Sequence, residues 1–328
     1  IGEKAFSGCD SLTTIVLPLG VEGVGEHAFS GCKSLESVYV SESVTRIYED
    51  AFNGCAKLKA FYGPNVSDDN RCIIIEGKLC AFAPYGIKSY TIPDVVTSLL
   101  ESVFNGCKDL SSIQVSNAVQ NIYYDAFRSC SNLRKVDLPE SIKFIDENAF
   151  YGCSSLSSIA IAKQNPSEIR LYEDALRGIP TSTCTLYVPK GSKELYMAAD
   201  QWSSFSNIVE MTDYITSLQI ESASIELSVG DSDALMANIL PESTRFKTIT
   251  WTTSDANVAT VDENGYVTAV NPGTATITAS CEGKSAVCSI NVTPKSISAE
   301  SIELNTASLN LNIGESEKLI ATVETKET

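Results

Sequence analysis

The sequence predicts a solenoid of 23-residue coils followed by an all-β sandwich, and three observations predict it. The block Ala5-Phe6-Ser7-Gly8-Cys9 recurs at 28–32 and 51–55 and, degenerately, at 104–107, 126–130 and 149–153. Phe6, Phe29 and Phe52 therefore stand 23 residues apart, as do Phe104, Phe127 and Phe150. After each block a leucine (Leu12, Leu35, Leu58, Leu110, Leu133, Leu156) leads into an apolar alternation such as Ile15/Leu17 or Val136/Leu138, the mark of a short strand with one buried face. From about residue 216 the pattern changes to short alternating strands punctuated by Gly and Asn turns. A 23-residue unit cannot bury its own apolar face, so neighbouring coils must stack and share one core.

Taking the elements in order, Pro18 and Pro139 follow their strands directly and end them, because proline donates nothing to a ladder. The regular step breaks between Phe52 and Phe104, a distance of two periods plus six residues. Residues 72–82, two apolar runs about Glu76-Gly77, read as a hairpin inserted near 70–85. Residues 184–211 read as the cap that closes the apolar end. There Ser192 is expected to N-cap a short helix, and Trp202 and Phe205 to cover the last coil. The predicted domains are thus a solenoid over 1–211, a sandwich over 212–294, and the start of a second sandwich over 295–328, where residues 308–314 repeat 224–230 at an offset of 84. The first residues lie inside a repeat, so a longer parent chain is expected.

Composition narrows function. Of 328 residues 43% are hydrophobic and 20% charged, the net charge is −17, and no segment is basic. That argues against nucleic acid and against an anionic membrane surface, both of which require clustered Lys and Arg. No apolar run is long enough to span a bilayer. Six of the eleven cysteines (Cys9, Cys32, Cys55, Cys107, Cys130, Cys153) share one slot of the repeat. They are expected to form a column of buried thiols acting as small apolar groups, since parallel side chains on stacked coils are poorly placed for disulfides. Cys72/Cys80 and Cys281/Cys288 are left open as pairs.

The unit spelled by Phe29-Ser30-Gly31-Cys32-Lys33-Ser34-Leu35 and by Cys130-Ser131-Asn132-Leu133-Arg134-Lys135-Val136-Asp137-Leu138-Pro139 resembles the BspA-like bacterial leucine-rich repeats over about 1–211. The resemblance implies a curved right-handed leucine-rich repeat solenoid with a parallel sheet on its concave face, and surface adhesion to host or microbial proteins. Residues 216–293 resemble a bacterial immunoglobulin-like group 2 (Big-2) domain, through Trp251-Thr252-Thr253-Ser254-Asp255, Val258-Ala259-Thr260-Val261-Asp262, Gly265-Tyr266-Val267-Thr268-Ala269 and 272–279. Such modules recur in tandem on bacterial surface proteins.

Chemistry is sparse. The one histidine, His27, occupies a variable slot beside Glu26 and has no triad context. The repeat cysteines lie a full period apart, unlike zinc ligands. Asp262-Glu263-Asn264-Gly265 reads as a hairpin turn rather than a calcium loop. The expectation is therefore no catalytic residue, no metal and no cofactor.

Binding is placed instead on the outward residues of the solenoid strands, which form two columns: Val16, Tyr39, Tyr62, Gln114, Asp137 and Ala160, and Thr14, Ser37, Ala60, Ser112, Lys135 and Ser158. The candidate contact residues are Thr14, Val16, Glu36, Ser37, Tyr39, Lys59, Tyr62, Ser112, Gln114, Lys135 and Asp137. Tyr39 and Tyr62 should stand on adjacent coils, either as a ligand surface or as cross-strand packing. The expected function is non-catalytic adhesion outside the cell, with a host or microbial surface protein or glycan as partner and the sandwiches as a stalk. The alternatives are a spacer or assembly scaffold and, behind it, a carbohydrate-active or proteolytic module. Oligomeric state is left open.

Overall fold

In the computed structural model the repeats wind into stacked coils, each contributing a strand to a first parallel sheet and a two-residue strand to a second. The structure describes every residue except Tyr214, Phe246, Ser296 and Thr328, and only the backbone of 297–300 and 324–327. Residues 1–218 with 238–248 and 281–284 form one compact unit, and 219–237 with 249–280 and 285–328 a second.

In the first unit the opening strands Thr14–Leu17, Ser37–Val40 and Ala60–Tyr62 pair in parallel, with Ile15, Val38 and Phe61 in register. Ser89–Thr91 then starts a six-stranded sheet that ends on Thr185–Val188 and Asn207–Glu210. The shared interior predicted from the period is present as a column of rings. Phe6, Phe29 and Phe52 stack at 5.2 and 5.3 Å, and Phe104, Phe127 and Phe150 at 5.1 and 5.2 Å, all within 4° of coplanar. Cys32, Leu35 and Val38, like Cys130, Leu133 and Val136, fill the space beside them with no exposed surface.

The turn carrying each ring is held by a backbone ladder. Phe29 N donates to Ala51 O at 2.8 Å and Gly31 N to Asn53 O at 2.7 Å, each coil donating to the next. The glycine of the repeated block sits at positive φ (73° at Gly31, 75° at Gly54), and a Cβ on Gly54 would stand 3.4 Å from the Gly31 backbone. Close stacking and a left-handed backbone together select glycine there.

The thiol column carries more chemistry than its expected apolar role. Cys32, Cys55, Cys130 and Cys153 each direct Sγ–H to the carbonyl of the preceding coil's phenylalanine, at 3.0 to 3.2 Å. The slot thus needs a small apolar donor, and cysteine supplies both properties. All eleven cysteines are free. Cys72 faces Phe82 across its hairpin and lies 3.0 Å from the Tyr90 hydroxyl, so register keeps it from Cys80.

The hairpin Cys72–Ile75/Lys78–Phe82 does more than project. Its second strand joins the second sheet beside Ser98–Leu99, and Phe82 packs 4.8 Å from both Phe104 and Tyr90, replacing a ring that the interrupted coil does not supply. The insertion nevertheless breaks both sheets. Among the described residues Arg46–Ile47 pairs only with Gly23–Val24, and Ala60–Tyr62 is the last strand of its sheet.

At the C-terminal end Tyr196, Trp202 and Phe205 are buried under the last coil, with Tyr196 Oη donating to Lys163 O at 2.7 Å. Two details differ from expectation. Ser192 stands at the N-cap of Lys193–Ala198, but its hydroxyl donates to Pro189 O at 2.6 Å and caps nothing. The closing segment also adds a further parallel strand, Asn207–Glu210.

The second unit is a sandwich. A sheet ordered Ser224–Ser228, Lys284–Thr293, Gly273–Cys281, Thr250–Thr253 faces a three-stranded sheet of Ser232–Ala234, Tyr266–Ala269 and Ala259–Val261 across Leu235, Val267, Ile277 and Ile290. Trp251 packs against this core, and a Cβ on Gly265 would lie 2.7 Å from its ring, so that glycine is required by contact as well as by its φ of 82°. Asp262 Oδ1 accepts from Asn264 N and Tyr266 N, the turn read from the sequence.

Candidate functional site: the outer face of the first sheet

Strand alternation sends Ile15, Val38 and Phe61 inward and their neighbours outward. Register aligns Thr14 with Ser37 and Ser37 with Ala60, and Val16 with Tyr39 and Tyr39 with Tyr62. The Tyr39 and Tyr62 rings stack at 4.7 Å and 22°, and remain 44% and 38% exposed beside a 62% exposed Val16. Thr14 Oγ1 and Ser37 Oγ hydrogen-bond at 3.0 Å. Lys59 Nζ donates to Glu36 Oε2 at 2.9 Å and stands 5.3 Å over the Tyr85 ring. Five predicted residues (Thr14, Val16, Ser37, Tyr39, Tyr62) therefore meet on one small sheet, with Glu36 and Lys59 at the entries to its strands. Its flat aromatic surface, bordered by a hydroxyl pair and an ion pair, can stack against a planar or ring-shaped group and hydrogen-bond its edge.

The other four lie elsewhere. Ser112 pairs in register with Lys135 and Gln114 with Asp137 on the six-stranded sheet, beyond the break at the insertion. The two predicted columns are accordingly split, and their far end is not free surface. Residues 238–248 fold with the first unit and bring Arg245 to Asp137, Nη2 to Oδ1 at 2.7 Å. The approach lies off hydrogen-bond alignment, so the attraction there is that of opposite charges. Arg245 also lies 5.3 Å over Tyr187 and donates to Ser158 Oγ at 3.4 Å. Ser158 and Ala160, expected to face solvent, are buried. Burial pulls the Lys135 ammonium below its usual range, with Arg245 adding repulsion and Asp137 opposing both. Arg245 gives no sign of this in the sequence, where it is one cation in a turn-rich stretch.

His27 sits at a positive-φ turn position, Nε2 3.5 Å from Glu26, without a nucleophile partner among the described residues. No group of His, Cys, Asp and Glu that could hold a metal occurs among the described residues, nor does any helix long and apolar enough to cross a membrane.

The fold defines a leucine-rich repeat solenoid joined to a bacterial immunoglobulin-like module. Residues 1–69 and 78–186 match six copies of the BspA type leucine rich repeat region, more than half of the chain, and the chain belongs to that family. Residues 214–290 match the bacterial Ig-like domain, group 2. The chain is 35% identical over 111 residues to an uncharacterized protein of Clostridium acetobutylicum, covering 33% of this chain and 11% of that protein. It is 53% identical over 53 residues to a 3-O-alpha-D-galactosyl-alpha-L-arabinofuranosidase of Bifidobacterium longum, covering 16% and 5%. The chain thus spans about a tenth or less of these curated relatives. Among solved structures, a leucine rich cell surface protein of Faecalibacterium prausnitzii is 23% identical with a TM-score of 0.42, over 65% of this chain and 63% of that one.

Proposed function

We propose that this chain is a non-catalytic binding protein of the bacterial cell surface, with the first sheet contacting a host or microbial protein or glycan and the Ig-like region serving as stalk. The family pair fits surface adhesion. The carrying observation is the exposed Tyr39–Tyr62 stack bordered by Thr14, Ser37, Glu36 and Lys59, large apolar area held on a rigid sheet without a core to bury it. The more distant candidates Ser112, Gln114, Lys135 and Asp137 are proposed only as flanking positions. The test is retention of the chain on host-matrix and glycan arrays, compared with Tyr39→Ala/Tyr62→Ala. Truncating two central aromatic contacts is expected to weaken retention about 30-fold or more, since each such anchor contributes roughly 1–2 kcal/mol. Unchanged retention removes this face from the function.

A further inference from the structure

The insertion leaves a second polar surface. Where successive coils keep the 23-residue step, each turn donates three N–H groups to the next, as Lys4, Phe6 and Gly8 do to Glu26, Ala28 and Ser30, and as Ser102, Phe104 and Gly106 do to Tyr124, Ala126 and Arg128. By the same rule Asp50, Phe52 and Gly54 should donate to Glu101, Val103 and Asn105, and none of those bonds forms among the described residues. The turns are bridged instead by a side chain, Asn105 Nδ2 to Asp50 Oδ1 at 3.2 Å.

A cleft of about 690 Å³ opens beside this break. One wall is Thr45–Glu49, carrying the strand Arg46–Ile47 with its unpaired edge, and the other is formed by Ile75, Glu76, Lys78, Cys80, Leu100 and Glu101. A smaller crevice between Asp50–Ala56 and Glu101–Cys107 shares Cys80 and Glu101 with it. That crevice is lined by Ser102, a residue 6% exposed whose hydroxyl has no partner. Four carboxylates (Glu26, Glu49, Glu76, Glu101) line the cleft against two cations, Arg46 and Lys78. Burial, and then the charges of Asp50, Glu26, Glu101 and Asp125, push the Glu49 carboxyl above its ordinary range, so the cleft holds negative charge at a cost that a cation would relieve.

A free strand edge offers backbone pairing to an extended chain, and its flanking side chains select the sequence. We infer that this cleft is a second binding site, distinct from the tyrosine face, that takes an extended peptide segment carrying lysine or arginine on one face, paired along Arg46–Ile47 with its cations against Glu49 and Glu101. Apolar residues on the alternate face of such a strand would meet Ile47, Ile75 and Leu100.

The probe is a fluorescent hexapeptide alternating lysine and valine, compared with its glutamate–valine counterpart, read by anisotropy and by amide chemical shifts on the full chain. The lysine peptide should bind and shift the amides of 45–49 and 101. Glu49→Gln/Glu101→Gln should weaken it at least tenfold, added salt should weaken it further, and Tyr39→Ala/Tyr62→Ala should leave it unchanged. The inference is overturned if no anisotropy change occurs at about 1 mM peptide. Equal binding of both peptides, shifts confined to the tyrosine face, or self-association of the chain through 45–49 would overturn it equally. Loss of array retention in the tyrosine variant with peptide binding intact separates this site from the adhesion face.

Discussion

At the scale of the residue, the repeat cysteines make the sharpest claim. The sulfurs of Cys32, Cys55, Cys130 and Cys153 donate to carbonyls of the coil before, and burial pushes the thiols of Cys55 and Cys107 up to about 12. Cys9, on the exposed first coil, lacks this cover. A thiolate-directed alkylating reagent at neutral pH should therefore label Cys9 rapidly in the native chain and the buried column only after unfolding, as mass spectrometry of the modified peptides would report. The same displacement sets a pH trend. The native thiols keep their protons where unfolded ones, near 9, release them, so stability should fall as pH rises from about 9 toward 12. Rapid labelling of Cys32 or Cys130 in the folded protein would contradict this. The cysteine column was legible from its period, but the S–H···O=C bonds were not, because spacing does not reveal which carbonyl a buried thiol meets.

At the scale of the element, the hairpin Cys72–Ile75/Lys78–Phe82 is the feature that interrupts the repeat and packs into its core. Phe82 substitutes for the ring of the interrupted coil and packs against Phe104 and Tyr90. Phe82→Ala should cost about 3–5 kcal/mol by denaturant titration, the range for a buried phenylalanine cavity. A loss below about 1 kcal/mol would mean the coils on either side are stable without it. The sequence disclosed the hairpin through Glu76-Gly77 between two apolar runs, yet it gave no warning that the unpaired edge at Arg46–Ile47 would line a cleft, since that depends on which neighbour each strand finds. The Asn207–Glu210 strand escaped notice for a related reason. Its Ile208-Val209 pair is too short to show alternation.

At the scale of the whole molecule, the period carries most of the information. A fixed 23-residue step dictates that like residues align, and Tyr39 and Tyr62 meet because Val38 and Phe61 must both point inward. What the period does not encode is which outward positions another part of the chain covers. Asp137 and Lys135 share register positions with the exposed Gln114 and the half-buried Ser112, but Arg245 lies 2.7 Å from Asp137 and covers much of it. Such long-range contacts leave no local pattern. The proposed binding face is accordingly the first three strands, where aromatic area and polar edges coincide.

Site-specific photocrosslinking tests that placement most directly. A photoreactive side chain installed at the position of Val16, in register with Tyr39, should capture whatever ligand the arrays retain, while one installed at Gln114 should capture it far less. Crosslinks arising equally from both positions, or from neither while retention persists, would contradict a binding face centred on the paired tyrosines.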